Sequence, residues 1–218
     1  MGNNSNHAMQ IDVVSSSNRD ITVAALYRPN MEYFPPSIIG CFVVSDGWNE
    51  KALSELKEMV GADLLVGIQT KEHVFKHLFE DTDIVKTTIK CQPDQVDDII
   101  QLLDIYSSRY GICLNLYDIK SLFGCSKSFK FIQAGTVGNS ESCSIQTATQ
   151  ELVSQIPSAN LIKGIFVNPE SNESLALDDY AYISNAVESV CDGEDIYYSQ
   201  SIVDVPNHCC LRALYAEP

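Results

Sequence analysis

The residue types able to do chemistry in this chain are few, and their best concentration is the run GICLNLYDIK, residues 111–120. There a thiol at Cys113, an amide at Asn115 and a carboxylate at Asp118 alternate with Leu114, Leu116 and Tyr117. Nothing in that spacing supports an activity built on Asp118 and a cysteine. Asn readily serves a turn, and an acid suits the positive N-terminal end of a helix. Leu114 and Leu116 are half-buried packing residues on this reading, and the six positions Cys113–Asp118 form the candidate contact loop for a partner.

Other candidates are weaker. His73 and His77 lie four apart on a predicted helix, a spacing that can chelate a metal, but no third acidic or histidine ligand is indicated, so they read as surface histidines. His208 reads as a turn histidine. Cys41, Cys91, Cys113, Cys125, Cys143, Cys191, Cys209 and Cys210 show no C-x-x-C spacing. With no secretion leader, free thiols in a reducing cytoplasm are expected, with no metal and no cofactor. Cys209 and Cys210 are adjacent in a predicted strand and so point to opposite faces.

Charge and length narrow the class. The 218 residues are 45% hydrophobic and 20% charged, ample for a sizeable core. A formal net charge of −15 argues against nucleic-acid binding, which needs clustered Lys and Arg, and against an anionic membrane surface. No apolar run reaches the length of a membrane span. Residues 1–19 are polar and rich in Asn and Ser, and read as a disordered tail or a tag outside the fold.

The elements that must position these residues follow an α/β order. Ile21–Leu26 and Ile38–Val44 are expected strands separated by the proline-bearing loop RPNMEYFPPS. Asn49–Val60 is an amphipathic helix stopped by Gly61, and Leu64–Ile68 is a buried strand. Pro93–Arg109 is expected as a long connecting helix with Val96, Ile99, Ile100, Leu103 and Tyr106 on one face. A short helix ending at Gly124, a strand Phe129–Ala134, a helix Ser142–Ile156, a strand Leu161–Asn168, a helix Leu177–Val190 and closing strands Asp195–Val203 and Cys209–Tyr215 follow. This makes a small mixed sheet packed with helices.

On these residues the chain resembles FtsZ, the bacterial division tubulin. KGIFVNPESNESLALDDYAYISNAVESV from Lys163, IYYSQSIVDV, and CCLRALYAEP to Pro218 resemble the family's last strand, helix and two strands, with Lys163, Gly164, Asn168, Leu177, Asp178 and Asp204 on equivalent positions. FIQAGTVGNSESCSIQTATQELV is similar to the strand and helix before them, and CFVVS and DLLVGIQ echo strands of the nucleotide domain. The resemblance implies that GICLNLYDIK stands where the family's loop enters a neighbouring subunit's nucleotide pocket. There Cys113 falls on the family's Asn, Asn115 on its first catalytic Asp and Asp118 on its second. One acid survives of the two.

The family's phosphate-cradling glycine loop has no counterpart in these residues, GTVG at Gly135–Gly138 being an isolated match, and Asp94 and Gln95 stand about where an Asp–Asn pair would hold guanine. The expectation is an FtsZ C-terminal-domain-like part, residues 111–218, preceded by a truncated α/β remnant, residues 20–92, and a connecting helix, residues 93–110. Its function is expected to be non-catalytic: a cytoplasmic pseudo-GTPase that binds FtsZ, another tubulin-like protein or itself. The alternative is a homo-oligomeric scaffold in an unrelated bacterial assembly. Ile165, Val167, Tyr180, Ile183, Val187, Ile202, Leu211 and Leu214 are expected to form one buried cluster with the strand of Phe131.

Overall fold

Short apolar, β-branched runs build the sheet, and the computed structural model describes them within residues 22–70, 83–104, 114–136, 145–157 and 162–217. Strands β1 (Thr22–Tyr27), β2 (Ser37–Val43), β3 (Leu64–Gln69), β4 (Thr87–Lys90) and β5 (Ser128–Thr136) lie in chain order and pair in parallel. The last strand, β9 (Cys209–Ala216), runs antiparallel between β5 and β6 (Ile162–Ser171). At the far edge β7 (Cys191–Tyr198) pairs in parallel with β6, and β8 (Ser201–Ile202) resumes that pairing. One nine-stranded mixed sheet results, ordered β1-β2-β3-β4-β5-β9-β6-β7 with β8 on β6. Pro169 sits inside β6 without a backbone N–H to donate. It falls where the partner strand is interrupted, between the Val167↔Tyr198 and Glu170↔Ser201 pairs.

Strand periodicity splits the core into two layers. On one face Ile39, Val66, Ile89, Phe129, Phe131, Phe166 and Leu214 meet Ile99, Leu102 and Leu103 of α2 (Val96–Leu103) and Ile119, Leu122 and Phe123 of α3 (Leu116–Cys125). On the other face α1 (Glu50–Val60) covers Phe42 and Leu65. Further along that face α4 (Ile145–Ser154) and α5 (Leu177–Glu188) cover Ile132, Ile165, Val167 and Leu211. Helix α1 carries its expected signals: Asn49 Oδ1 accepts from Ala52 N at 3.0 Å, and Gly61 takes a left-handed φ of 66°.

Several expectations are corrected. Leu214 and Phe131 belong to the face opposite Ile165, Val167, Ile183, Val187 and Leu211, because alternate residues of β5 and β9 point to opposite layers. Tyr180 and Ile202 are only half-buried, Tyr180 donating its hydroxyl to Gln200 Oε1 at 2.6 Å. Of the helix expected over Pro93–Arg109, the described part is a 3-10 turn at Pro93–Gln95 followed by α2, which ends at Leu103; Tyr106 lies outside the described residues. Asp104 leaves the helical region at φ −82° and ψ 59°, as befits a short acid at the negative end of a helix. Strand β4, four residues with a polar face, had no counterpart among the expected elements. His73 and His77 lie outside the described residues.

The sheet runs on between residues 20–92 and 111–218, where a remnant and a C-terminal part were expected to meet. Thr88, Ile89 and Lys90 of β4 pair directly with Ser128, Phe129 and Lys130 of β5. Ile183 and Val187 on α5 are both fully buried. Replacing Ile183 by alanine should therefore cost about 2–4 kcal/mol in chemical denaturation, through lost burial and a residual cavity. A loss below about 0.5 kcal/mol, the scale of surface substitutions, would count against this layer.

Candidate functional site

The candidate loop is the start of a helix. Asn115 is the N-cap of α3: its Oδ1 accepts from Asp118 N at 3.1 Å, and Asp118 Oδ2 accepts from Asn115 N at 2.9 Å. This reciprocal capping box satisfies backbone donors that the helix leaves unpaired. Leu114 is buried against the α2–α3 layer and Leu116 is packed at its margin. Tyr117, by contrast, is 78% exposed. Cys113 lies outside the described residues.

Behind this start, α3 rests on β6 and on edge strand β7. Gly164 permits the approach, since a Cβ there would stand 2.7 Å from Cys125 Sγ and 3.2 Å from Leu122 Cδ1. Ser121 Oγ donates to Asp195 Oδ1 at 2.9 Å, and the Tyr197 hydroxyl donates to the same oxygen at 3.1 Å. Burial first, then the Asp195 carboxylate and nearby Asp118, raise the Tyr197 phenol above its ordinary range, so it keeps its proton and remains a donor at neutral pH. Lys120 Nζ reaches Asp63 Oδ2 at 2.8 Å, an exposed pair of little energetic weight. The structure thus brings Asp118, Tyr117, Ser121, Asp195 and Tyr197 onto one acidic, aromatic surface. In the sequence Asp192, Asp195, Tyr197 and Tyr198 stand together as an acidic, aromatic stretch, whereas Ser121 carries no such signal.

A second polar group was missed. Arg212 Nη1 donates to Glu170 Oε2 at 2.9 Å, Arg212 Nη2 pairs with Asp98 Oδ1 at 3.0 Å, and Glu170 Oε1 faces His208 Nε2 at 2.6 Å. Because Glu170 is paired as a carboxylate, His208 Nε2 is the donor in that contact. His208 closes the turn from Val205 with its backbone N–H, as expected of a turn histidine, but its side chain is buried against Glu170 and not at the surface. The signal was Arg212 inside the apolar strand CCLRALYA, since a half-buried arginine demands acidic partners.

The described cysteines Cys41, Cys91, Cys125, Cys191, Cys209 and Cys210 are not in disulfides. Burial pushes Cys41 up to about 12, and Cys91, Cys125 and Cys210 up to about 11. Cys209 and Cys210 face opposite layers, as adjacent strand residues must. Among the described residues no group of three His, Cys, Asp or Glu could hold a metal ion, and no helix is long and apolar enough to cross a membrane. A cleft of about 540 Å³ lies where β6 ends and β9 begins, lined by Ser171, Glu173, Asp179 and His208 among others.

No protein-family model matches the sequence, and no curated protein matches it. Solved structures do match in three dimensions. A point mutant of FtsZ from M. jannaschii superposes with a TM-score of 0.59 at 14% identity, over 84% of this chain and 65% of that one. An empty FtsZ dimer from M. jannaschii gives a TM-score of 0.57 at 13% identity, over 84% and 63%. The fold is tubulin-like. CetZ from Methanosaeta thermophila gives 0.55 at 11% identity, over 83% and 61%. The chain thus spans just under two thirds of each of these FtsZ and CetZ chains.

Proposed function

We propose that this protein is a non-catalytic tubulin-like module that binds a tubulin-like partner through the surface at the start of α3 and along β7. The observation that carries the reading is the capping box. On the two positions where the FtsZ resemblance places catalytic acids stand Asn115 and Asp118, and each side chain is committed to the other's backbone N–H. A pair of free carboxylates that could orient a water is absent from this helix start, while Tyr117 beside it is exposed and available for contact. The order of the parallel strands supports the same reading. From β1 to β5 it is sequential with no reversal, so these strands form no switch-point crevice of the kind in which open α/β sheets hold nucleotides.

In a head-to-tail filament, a subunit that presents a loop face but no nucleotide face joins at one end and stops extension. Titrating the protein into its cognate FtsZ with GTP, followed by light scattering and filament-length measurement, should shorten filaments well below equimolar ratios. Tyr117→Arg should weaken the effect about tenfold, on the scale of a central aromatic contact. Tyr33→Arg, at a residue 70% exposed on another part of the chain, should not. Calorimetry should show no GTP binding to the protein alone. Micromolar GTP binding, or filaments unaffected at every ratio, would overturn the proposal; self-association without any effect on filaments would favour the scaffold alternative.

A further inference from the structure

The cleft where β6 ends holds in its wall a buried nitrogen with no partner, and the filament reading does not use it. Three segments converge there: the start of α4, the β6–α5 loop with the first turn of α5, and the turn before β9. His208, only 5% exposed, comes from that last turn and lines the cleft. Its Nε2 lies 2.6 Å from Glu170 Oε1, while the other oxygen of Glu170 accepts from Arg212 Nη1 at 2.9 Å. Because Glu170 is thereby held as a carboxylate, the neutral imidazole keeps its proton on Nε2. Nδ1 is left as a bare lone pair. It is shut away from bulk water and makes no hydrogen bond in the fold. A buried acceptor without a donor costs free energy, and native structures leave few of them.

The surroundings of His208 decide which donor fits. The cleft presents the acids Glu173 and Asp179, the partly buried apolar side chains Ile145 and Leu175 at the rim of the α4–α5 layer, and no lysine or arginine among its described lining. Asp179 gives Oδ2 to the backbone N–H of Ala176 at 3.2 Å, so Oδ1 remains for a ligand. Asp179 by itself is an ordinary first-turn acid; the unpartnered nitrogen of His208 makes the wall a set of acceptors. A metal ion fits it poorly, since among the described residues no three His, Cys, Asp or Glu are grouped to hold one. An alkylammonium ion has three N–H donors, no acceptor and an aliphatic stem, as at the end of a lysine side chain. The volume of about 540 Å³ falls in the range of small-molecule sites, roughly 300–1,000 Å³. We propose that this cleft binds a small primary amine as its ammonium ion, donating to His208 Nδ1 and Asp179 and laying its carbon stem on Ile145 and Leu175. The inference does not rest on the filament reading, because no residue of the α3–β7 surface lines the cleft.

Titration of the full chain with butylamine at neutral pH and about 0.15 M salt, followed by nitrogen NMR of the imidazoles, tests this. Butylammonium should saturate a single site with a Kd of about 1 mM or tighter and shift the His208 Nδ1 resonance. Butyltrimethylammonium has the same charge and stem but no N–H, and should bind about tenfold more weakly. That control separates the site from diffuse attraction to a chain of net charge −15. Asp179→Asn removes a charge while its amide oxygen can still accept from Ala176 N, and should weaken butylammonium binding about tenfold. His208→Gln, which can still donate to Glu170 but has no ring nitrogen, should weaken it by a similar factor. Circular dichroism melting checks that each variant is folded; if His208→Gln is not, the Nδ1 shift and Asp179→Asn decide. No saturable binding, equal binding of the two ammonium ions, an Nδ1 resonance that stays unmoved, or an affinity unchanged in Asp179→Asn would each overturn the inference.

Discussion

Replacing Arg212 with methionine should cost the fold about 3–5 kcal/mol, the range for stripping one partner from a buried ion pair. Arg212 joins Glu170 and Asp98, and the side chains of Arg212 and Glu170 are only 13% and 12% exposed. Methionine would fill much of the space left by the arginine stem, so the loss is not chiefly a cavity. It comes from a carboxylate kept out of water with only His208 Nε2 and no cation of fixed charge beside it. Glu170→Gln in the same background removes that carboxylate while its amide oxygen can still accept from His208. The double variant should therefore be more stable than the sum of the two single losses predicts, with a coupling on the order of 1–3 kcal/mol. Asp98→Asn should cost much less, because Asp98 is 27% exposed and retains access to water. Urea unfolding of the four variants checks this. Additive losses would mean that the Arg212–Glu170 pair carries no special weight in the fold.

What was legible in the sequence was whatever local chemistry decides. Helix α1 was readable because Asn49, the apolar spacing and Gly61 agree, and β9 because its run of eight residues is apolar but for Arg212. The resemblance to FtsZ along Lys163–Pro218 pointed to the fold that the superposed structures share. Long-range geometry was not legible. That β4 pairs with β5 rests on partners 40 residues apart in the chain, and Thr87–Lys90 is too short and polar to announce a strand. The layer to which Leu214 belongs depends on register, which sequence periodicity gives only relative to its neighbours. At the site, Asn115 and Asp118 were recognised as a turn former and a first-turn acid, but their mutual capping needed the helix boundary to be known. Ser121 gave no signal, since a serine on a helix becomes functional only when something like Asp195 is brought against it.

The placement of Asp195 depends in turn on a single glycine, and this yields the second large effect. Between the Ile162↔Cys191 and Gly164↔Asp195 pairs, β6 advances two residues while β7 advances four, so β7 bulges outward over Asp192, Gly193 and Glu194. At Gly193 an added Cβ would overlap the Lys163 carbonyl group and stand 2.9 Å from Lys163 Cα. These are backbone atoms of β6, a strand paired on both sides, and they cannot rotate aside. Gly193→Ala must instead push β7 off β6, and with it Asp195 away from Ser121. A loss of about 3–5 kcal/mol is expected, the scale reserved for strain at special backbone positions. Gly124→Ala supplies the opposite sign. Gly124 lies within α3, an added Cβ there meets nothing within 4 Å, and alanine relieves the entropic cost of a helical glycine by about 0.5–1 kcal/mol. Thermal melts of the two variants should therefore move in opposite directions from the unaltered protein. If Gly193→Ala melts unchanged, β7 is not held in this bulged register and Asp195 does not owe its place under α3 to it.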